Sequence, residues 1–152
     1  MPKITPFLWF DGNVDEAVKF YTTIFKDSKT VSLNRAGADG PVISAELELA
    51  GQRLMLFNGG PQFKFNEAIS LFVSCETQAE VDQYWNALSA GGQPGRCGWL
   101  KDKFGLSWQI VPTVLGELLG GKDPAGAKRA MEAMLKMDKL DIATLKRAYA
   151  SA

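Results

Sequence analysis

The feature that most constrains the fold is an internal repeat. Ile4 to Phe10 is a short apolar and aromatic run of strand type, stopped by Asp11-Gly12. Asn13-Val14-Asp15-Glu16 carries the N-cap and N3 residues of a capping-box-like helix start. Ala17, Phe20, Tyr21, Ile24 and Phe25 follow at helical spacing and give one wide apolar face. The same order then returns. Ile69 to Cys75 reads as a strand, Thr77-Gln78-Ala79-Glu80 is a capping box, and Val81, Tyr84, Trp85 and Leu88 rebuild the helix face before Gly91-Gly92. Asn13 maps to Thr77, Glu16 to Glu80, Phe20-Tyr21 to Tyr84-Trp85 and Ile24 to Leu88, each pair 64 residues apart.

Three further strand-like segments follow each helix. In the first copy, Lys29 to Arg35 leads through a loop, Ala36 to Pro41, into a hairpin. There Ile43, Ala45, Leu47 and Leu49 alternate with Ser44, Glu46 and Glu48, so one face is expected to be buried and the other polar. Ala50-Gly51 makes the turn and Gln52 to Phe57 returns. In the second copy the segments are Gly91 to Arg96, which is glycine-rich, Trp99 to Asp102, and Leu106 to Val111 after a turn near Lys103 to Gly105. The pattern predicts two βαβββ modules, residues 1–61 and 62–112, of α+β class.

A tail, residues 113–152, has a different character. Val114 to Leu119 is a short apolar segment, Asp123-Pro124 opens a helix with Pro at its first position, and Asp141 to Ala150 forms a last helix. Ala127, Met131, Met134 and Leu135 fall at helical spacing. This stripe is expected to pack on the sheet or on a partner subunit; a promiscuous binding face is the other reading. A chain of 152 residues suits one domain overall and buries enough surface to fold without a disulfide or metal staple.

Composition excludes several mechanisms. Seventeen Lys and Arg balance seventeen Asp and Glu, which argues against a general affinity for nucleic acid or an anionic membrane. The chain has no histidine, so it cannot carry a Ser-His-Asp triad, a Cys-His dyad or a His-containing zinc site. Cys75 and Cys97 are too few for a secreted disulfide framework and lack metal-knuckle spacing. No apolar run approaches the roughly 20 residues of a membrane span, and no signal-peptide core is present. The expected location is the cytoplasm.

Three segments carry a resemblance: ITPFLWFDGNVDEAVKFYTTIF, CGWLKDKFGLSWQIVP and MLKMDKLDIATLKRA. With the repeat, they resemble the vicinal oxygen chelate (glyoxalase, bleomycin-resistance and dioxygenase) superfamily. More narrowly they are similar to its bacterial-type PhnB-like branch, the demethylubiquinone 3-methyltransferase-like family. The resemblance implies two βαβββ modules whose mixed sheets curve around one shared cavity, with a C-terminal helical extension, usually in a homodimer. It also implies four metal-ligand positions on inward strand faces, which fall here on Pro6, Met55, Ser70 and Gln109. None of these is a strong ligand for a hard divalent ion, so no metal is expected. No glycine-rich loop after a strand offers a cradle for a nucleotide-like cofactor; Gly95-Arg96-Cys97-Gly98 has neither the spacing nor the context. No cofactor is expected, and the missing cradle argues against methyl transfer.

On this fold, strand alternation predicts that Phe7 and Trp9 pack under the helices while Pro6, Leu8 and Phe10 point into the cavity. Leu54, Leu56, Trp108 and Ile110 are expected to pack. The predicted ligand pocket comprises Leu8, Phe10, Arg53, Met55, Phe57, Ser70, Phe72, Trp99 and Gln109, with Ser107, Glu46 and Glu48 also facing it. Glu46 and Glu48 share one strand face about 7 Å apart. In a dry cavity their repulsion would make one of them a general base; on a solvated edge or subunit interface, Glu48 would simply pair with Arg53. Asp102 is read as an Asx-type turn or as a loop acid of the family, Cys75 as inert, and Cys97 as the more accessible thiol. Three functions stay open: a metal-free protein binding a small apolar or aromatic molecule, an enzyme using Glu46, Glu48 or Gln109 as candidate catalytic groups, and an interaction module whose cavity its own aromatics fill.

Overall fold

The computed structural model describes residues 2–151, and the repeat is realised as two four-stranded mixed sheets, each in its own unit. The first unit runs to Phe65 and contains β1 (Phe7–Phe10), α1 (Val14–Ile24), β2 (Ser28–Arg35), β3 (Val42–Leu49) and β4 (Gln52–Asn58). The second begins at Asn66 and contains β5 (Ser70–Cys75), α2 (Gln78–Ser89), β6 (Gln93–Pro94), β7 (Trp99–Lys101) and β8 (Ser107–Pro112). The strand orders, β1-β4-β3-β2 and β5-β8-β7-β6, are the same. In both, the first and last strands of the repeat pair in parallel and the others pair antiparallel. The chain is therefore α+β.

The helices bury the stripes their sequences announce. α1 buries Val14, Ala17, Tyr21 and Ile24, and α2 buries Val81, Trp85 and Leu88. Beneath α1 lie Ala45, Leu47, Leu49, Leu54 and Leu56. The two N-termini differ from each other. Thr77 Oγ1 accepts the Glu80 N–H at 3.2 Å, and the Glu80 carboxylate accepts the Glu76 N–H at 2.8 Å, close to the expected reciprocal box. In the first copy Asn13 makes no side-chain cap. Its place is taken by Asn58, whose Oδ1 accepts the Val14 N–H at 3.1 Å while its Nδ2 donates to Val42 O. The cap comes from a residue 44 positions away, beyond any local pattern.

Strand parity requires two corrections. Leu8 and Phe10 do not face a cavity: they are 6% and 2% exposed, in the core, whereas Phe7 is 56% exposed. Parallel pairing sets this, because β1 lies with Leu8 opposite Leu56 and Phe7 opposite Met55, and residues in one row share a face. Phe7-Leu8-Trp9-Phe10 is apolar at every position, so alternation offered no contrast to read. Ile43 was expected to be buried and is 42% exposed. Arg35 pairs with Val42 and Asn34 with Ser44, so Ile43 is the extra residue of a bulge and Val42 takes the buried position.

The third segment of the second repeat contracts to the two-residue β6. Gly92 brings the chain to β7 so closely that a Cβ there would lie 2.2 Å from Lys101 O.

The tail joins the second unit through α3 (Thr113–Leu119), α4 (Pro124–Met134) and α5 (Ile142–Ala150). Val111, Leu115, Leu140 and Leu145 form its core, with Leu118, Leu119, Met134 and Met137 packed against it. The Gln78 amide fastens this tail to α2, donating to Leu140 O at 3.0 Å and accepting the Ile142 N–H at 2.8 Å. Only part of the predicted α4 stripe is buried. Met134 packs inside, but Met131 and Leu135 are exposed, and Gly126 and Ala130 form the buried line instead. Close approach of α5 explains the small residues: a Cβ on Gly126 would meet Tyr149 O at 2.8 Å. Arg129 then closes the end of α5 by donating to Ala148 O and Tyr149 O at 2.9 and 2.7 Å.

Candidate functional site

Each sheet leaves one face uncovered by its helix. On the second sheet this face carries two rows, Ser70–Ser107–Lys101 and Phe72–Gln109–Trp99. Trp108 and Ile110 point the other way, into the core. A cavity of about 600 Å3 opens on this side, with walls from Trp99, Leu100, Lys101, Ser107 and the preceding Gln93–Cys97 stretch, and with Glu67 at its edge. That volume lies in the range of small-molecule pockets.

The polar groups around this cavity are mostly paired. Lys101 Nζ lies 2.8 Å from Glu67 Oε2, and the hydrogen bond from Lys101 holds the Glu67 carboxyl below the usual carboxylate range. The Arg96 guanidinium reaches Asp138 at 3.3 Å and Leu135 O at 3.1 Å. The Gln109 amide donates to Ser70 Oγ at 3.0 Å. Ser107 is the exception. It is 1% exposed, lines the cavity, and its hydroxyl has no hydrogen-bond partner among the described residues.

On the first sheet the rows are Phe7–Met55–Glu46 and Trp9–Phe57–Ser44. Aromatic rings occupy much of this face: Phe57 lies 5.6 Å from Phe7 and 5.3 Å from Trp9, and Trp9 meets Phe63 at 4.9 Å. The Trp9 indole N–H donates to Gly60 O. A hollow of about 230 Å3 remains, bordered by Phe7, Glu46, Met55 and Phe57.

Glu46 and Glu48 do share a face, with Arg53 set between them. The guanidinium lies 2.7 Å from Glu46 and 4.0 Å from Glu48, and Lys29 stands 3.9 Å from Glu48 on the far side. Arg53 is opposite Glu48 in register, yet its short contact is the diagonal one to Glu46. The two carboxylates thus face a cation instead of repelling each other.

Asp102 is a structural acceptor. It is 2% exposed; Oδ1 accepts the N–H groups of Phe104 and Leu106 at 2.9 and 3.1 Å, and Oδ2 accepts the Trp108 indole N–H at 2.9 Å. Cys75 is buried, and burial, reinforced by the Glu80 charge, pushes its thiol up to about 11, so it is protonated and unreactive near neutral pH. Cys97 is half-buried at the cavity wall with a left-handed backbone, φ 59°.

Of the expected pocket residues, Trp99 lines the second-unit cavity; Ser70, Phe72 and Gln109 share its sheet face. Met55 and Phe57 border the first-unit hollow, and Arg53 lies on that face beside Glu46. Leu8 and Phe10 are in the core. Sequence reasoning missed Glu67, Gln93, Pro94 and Arg96 as wall residues. The Gly91–Gly98 density of glycines was the one available signal.

The four positions implied as metal ligands do not fit a hard divalent ion. Pro6 has no side-chain donor, Met55 offers a thioether, and Ser70 and Gln109 are hydrogen-bonded to each other. The glycine-containing loop does not offer its amides to a cofactor either. The N–H groups of Gly95, Cys97, Gly98 and Trp99 donate to Trp99 O, Met137 O, Asp138 O and Arg96 O.

Residues 2–111 match the 3-demethylubiquinone-9 3-methyltransferase family. Among solved structures, a PhnB protein of Bacillus cereus is 36% identical, with a TM-score of 0.68 over 74% of this chain and 100% of its own. A protein of Pseudomonas aeruginosa is 22% identical, with a TM-score of 0.59 over 74% of this chain and 98% of that one. The fosfomycin resistance protein FosX of Listeria monocytogenes is 16% identical, with a TM-score of 0.57 over 76% of this chain and 94% of that one. The last two likenesses concern the fold alone. No curated protein is detectably similar.

Proposed function

The chain belongs to the 3-demethylubiquinone-9 3-methyltransferase family, a PhnB-like branch of the vicinal oxygen chelate superfamily, and from that premise we propose that it binds a small apolar or aromatic molecule without a metal. The observation that carries this reading is the cavity of about 600 Å3 in the second unit, lined by Trp99 and Pro94 among others. The proposed contact surface is Trp99 with Ser70, Phe72, Ser107 and Gln109 on the same sheet face. On the first sheet, Arg53, Met55 and Phe57 form a smaller accessory surface. The poor donor set at Pro6, Met55, Ser70 and Gln109 supports the metal-free part.

The test is a thermal-shift screen against a metabolite library, because a ligand that binds only the folded state raises its melting temperature. An apolar or aromatic compound is expected to raise Tm saturably, and Trp99→Ala is expected to abolish that rise. Absence of any such compound, or a rise that survives Trp99→Ala, sinks the proposal. Stoichiometric zinc, nickel or manganese in elemental analysis of the purified protein sinks its metal-free part.

We also propose a cytoplasmic homodimer that binds neither nucleic acid nor membrane. No helix among the described residues is long and apolar enough to cross a membrane, the equal acidic and basic counts argue against a general affinity for nucleic acid or an anionic membrane, and the dimer is carried over from the family resemblance. Light scattering during size exclusion checks the dimer; a monomer mass at micromolar concentration removes it.

A further inference from the structure

We infer that the second-unit cavity selects an uncharged aromatic molecule carrying one hydroxyl or carbonyl oxygen, and that Ser107 is the group that recognises the oxygen. The inference rests on the pocket reading above and narrows it to a chemical class.

The oxygen follows from Ser107. A buried hydroxyl without a partner has given up its bonds to water and gained none in return, so the folded chain carries it at a loss unless something completes it. Its neighbours on the sheet do not. Ser70 opposite it already accepts from Gln109, and Lys101 on its other side is joined to Glu67 at 2.8 Å. Ser107 lines the cavity, so a ligand oxygen seated there would supply the missing bond. A hydroxyl both donates and accepts, so either an alcohol or a carbonyl satisfies it.

Neutrality follows from the charges. The cations at this cavity, Lys101 and Arg96, each already face a carboxylate, from Glu67 and Asp138. An anionic ligand would have to displace one of those carboxylates, and a cationic one would meet Lys101 and Arg96. The ring follows from Trp99, which lines the cavity with Pro94.

The test is a backbone-amide NMR titration of the full chain with four probes of one shape: toluene, benzyl alcohol, benzoate and benzylammonium. Benzyl alcohol is expected to shift the Trp99, Lys101 and Ser107 signals and to bind about fivefold tighter than toluene, the fold-change of one net hydrogen bond. Ser107→Ala should reduce benzyl alcohol to the affinity of toluene and leave toluene binding intact, which also shows that the variant is folded. Equal binding of toluene and benzyl alcohol in both proteins overturns the role of Ser107 while the pocket stands. Tightest binding of benzoate or benzylammonium overturns the neutrality argument. If no probe shifts these signals, the pocket reading falls and this inference falls with it.

Discussion

The hairpin of the first repeat closes on Ala50-Gly51, two residues with φ of 48° and 87°, and the Ala50 N–H donates to Asp27 O. The matching hairpin of the second repeat closes on a longer loop organised by one buried carboxylate, Asp102, which holds two amides and the Trp108 indole. The open faces differ in the same way. Phe7, Trp9, Phe57 and Phe63 crowd the first sheet and an Arg53–Glu46 pair neutralises it, whereas the second leaves a cavity and an unsatisfied hydroxyl. Identical topology has therefore not imposed identical chemistry. The backbone path is set by the repeated caps and helix stripes; what each face can bind is set by the few side chains that fill or spare it.

The largest expected effect separates the two hairpins. Asp102→Ala strands a buried indole N–H and two amides, and should cost about 3 kcal/mol or more, with Tm falling by roughly 6–12 °C in calorimetry. Asp102→Asn should fall between, because an amide can replace only part of the acceptor set. A loss below about 1 kcal/mol for the alanine variant would mean that the loop, like its counterpart, closes through its backbone alone.

The next effect concerns pH. Cys75 occupies the position that in the first repeat is Asp11, so only the second repeat buries a thiol there. Its folded-state pKa, about 11, lies above the ordinary value of 9. The stability it contributes is complete below about pH 9 and is lost as pH rises toward about 11. Burial raises the Tyr84 phenol as well, so Cys75→Ala should flatten the alkaline decline only in part. Urea unfolding at pH 8, 9.5 and 11 reads this directly. An unchanged pH slope in the variant would assign the decline elsewhere.

The smallest effect lies in the first hairpin. Ala50 has a left-handed backbone that costs an L-residue about 1 kcal/mol, so Ala50→Gly should raise Tm by roughly 2–4 °C. A fall would show that Ala50 is held by contacts the turn geometry does not explain.

Legibility in the sequence followed physical contrast. The helices were readable because Ala17, Tyr21 and Ile24, or Val81, Trp85 and Leu88, stand out from polar neighbours at a period of about 3.6. That Met55 and Gln109 lie on the sheet face away from the core was readable for a related reason, since each sits between residues that pack. Phe7 to Phe10 was not readable, because a strand apolar on every residue has no visible parity until its partner fixes the register. Nor could a local pattern show that Asn58 caps α1, or that Arg53 leans to Glu46.

By itself, then, the sequence determined the doubled βαβββ plan, its helical tail and the lack of imidazole for metal or nucleophilic chemistry, all consequences of local periodicity and residue inventory. Tertiary structure decided which face of β1 is buried, that a guanidinium stands between Glu46 and Glu48, and that the Gln93–Cys97 stretch, Trp99 and Ser107 border one cavity. Those outcomes depend on which distant residues share a row or a wall. Pairing register and chain crossing set that, and neither is written in the spacing of neighbouring residues.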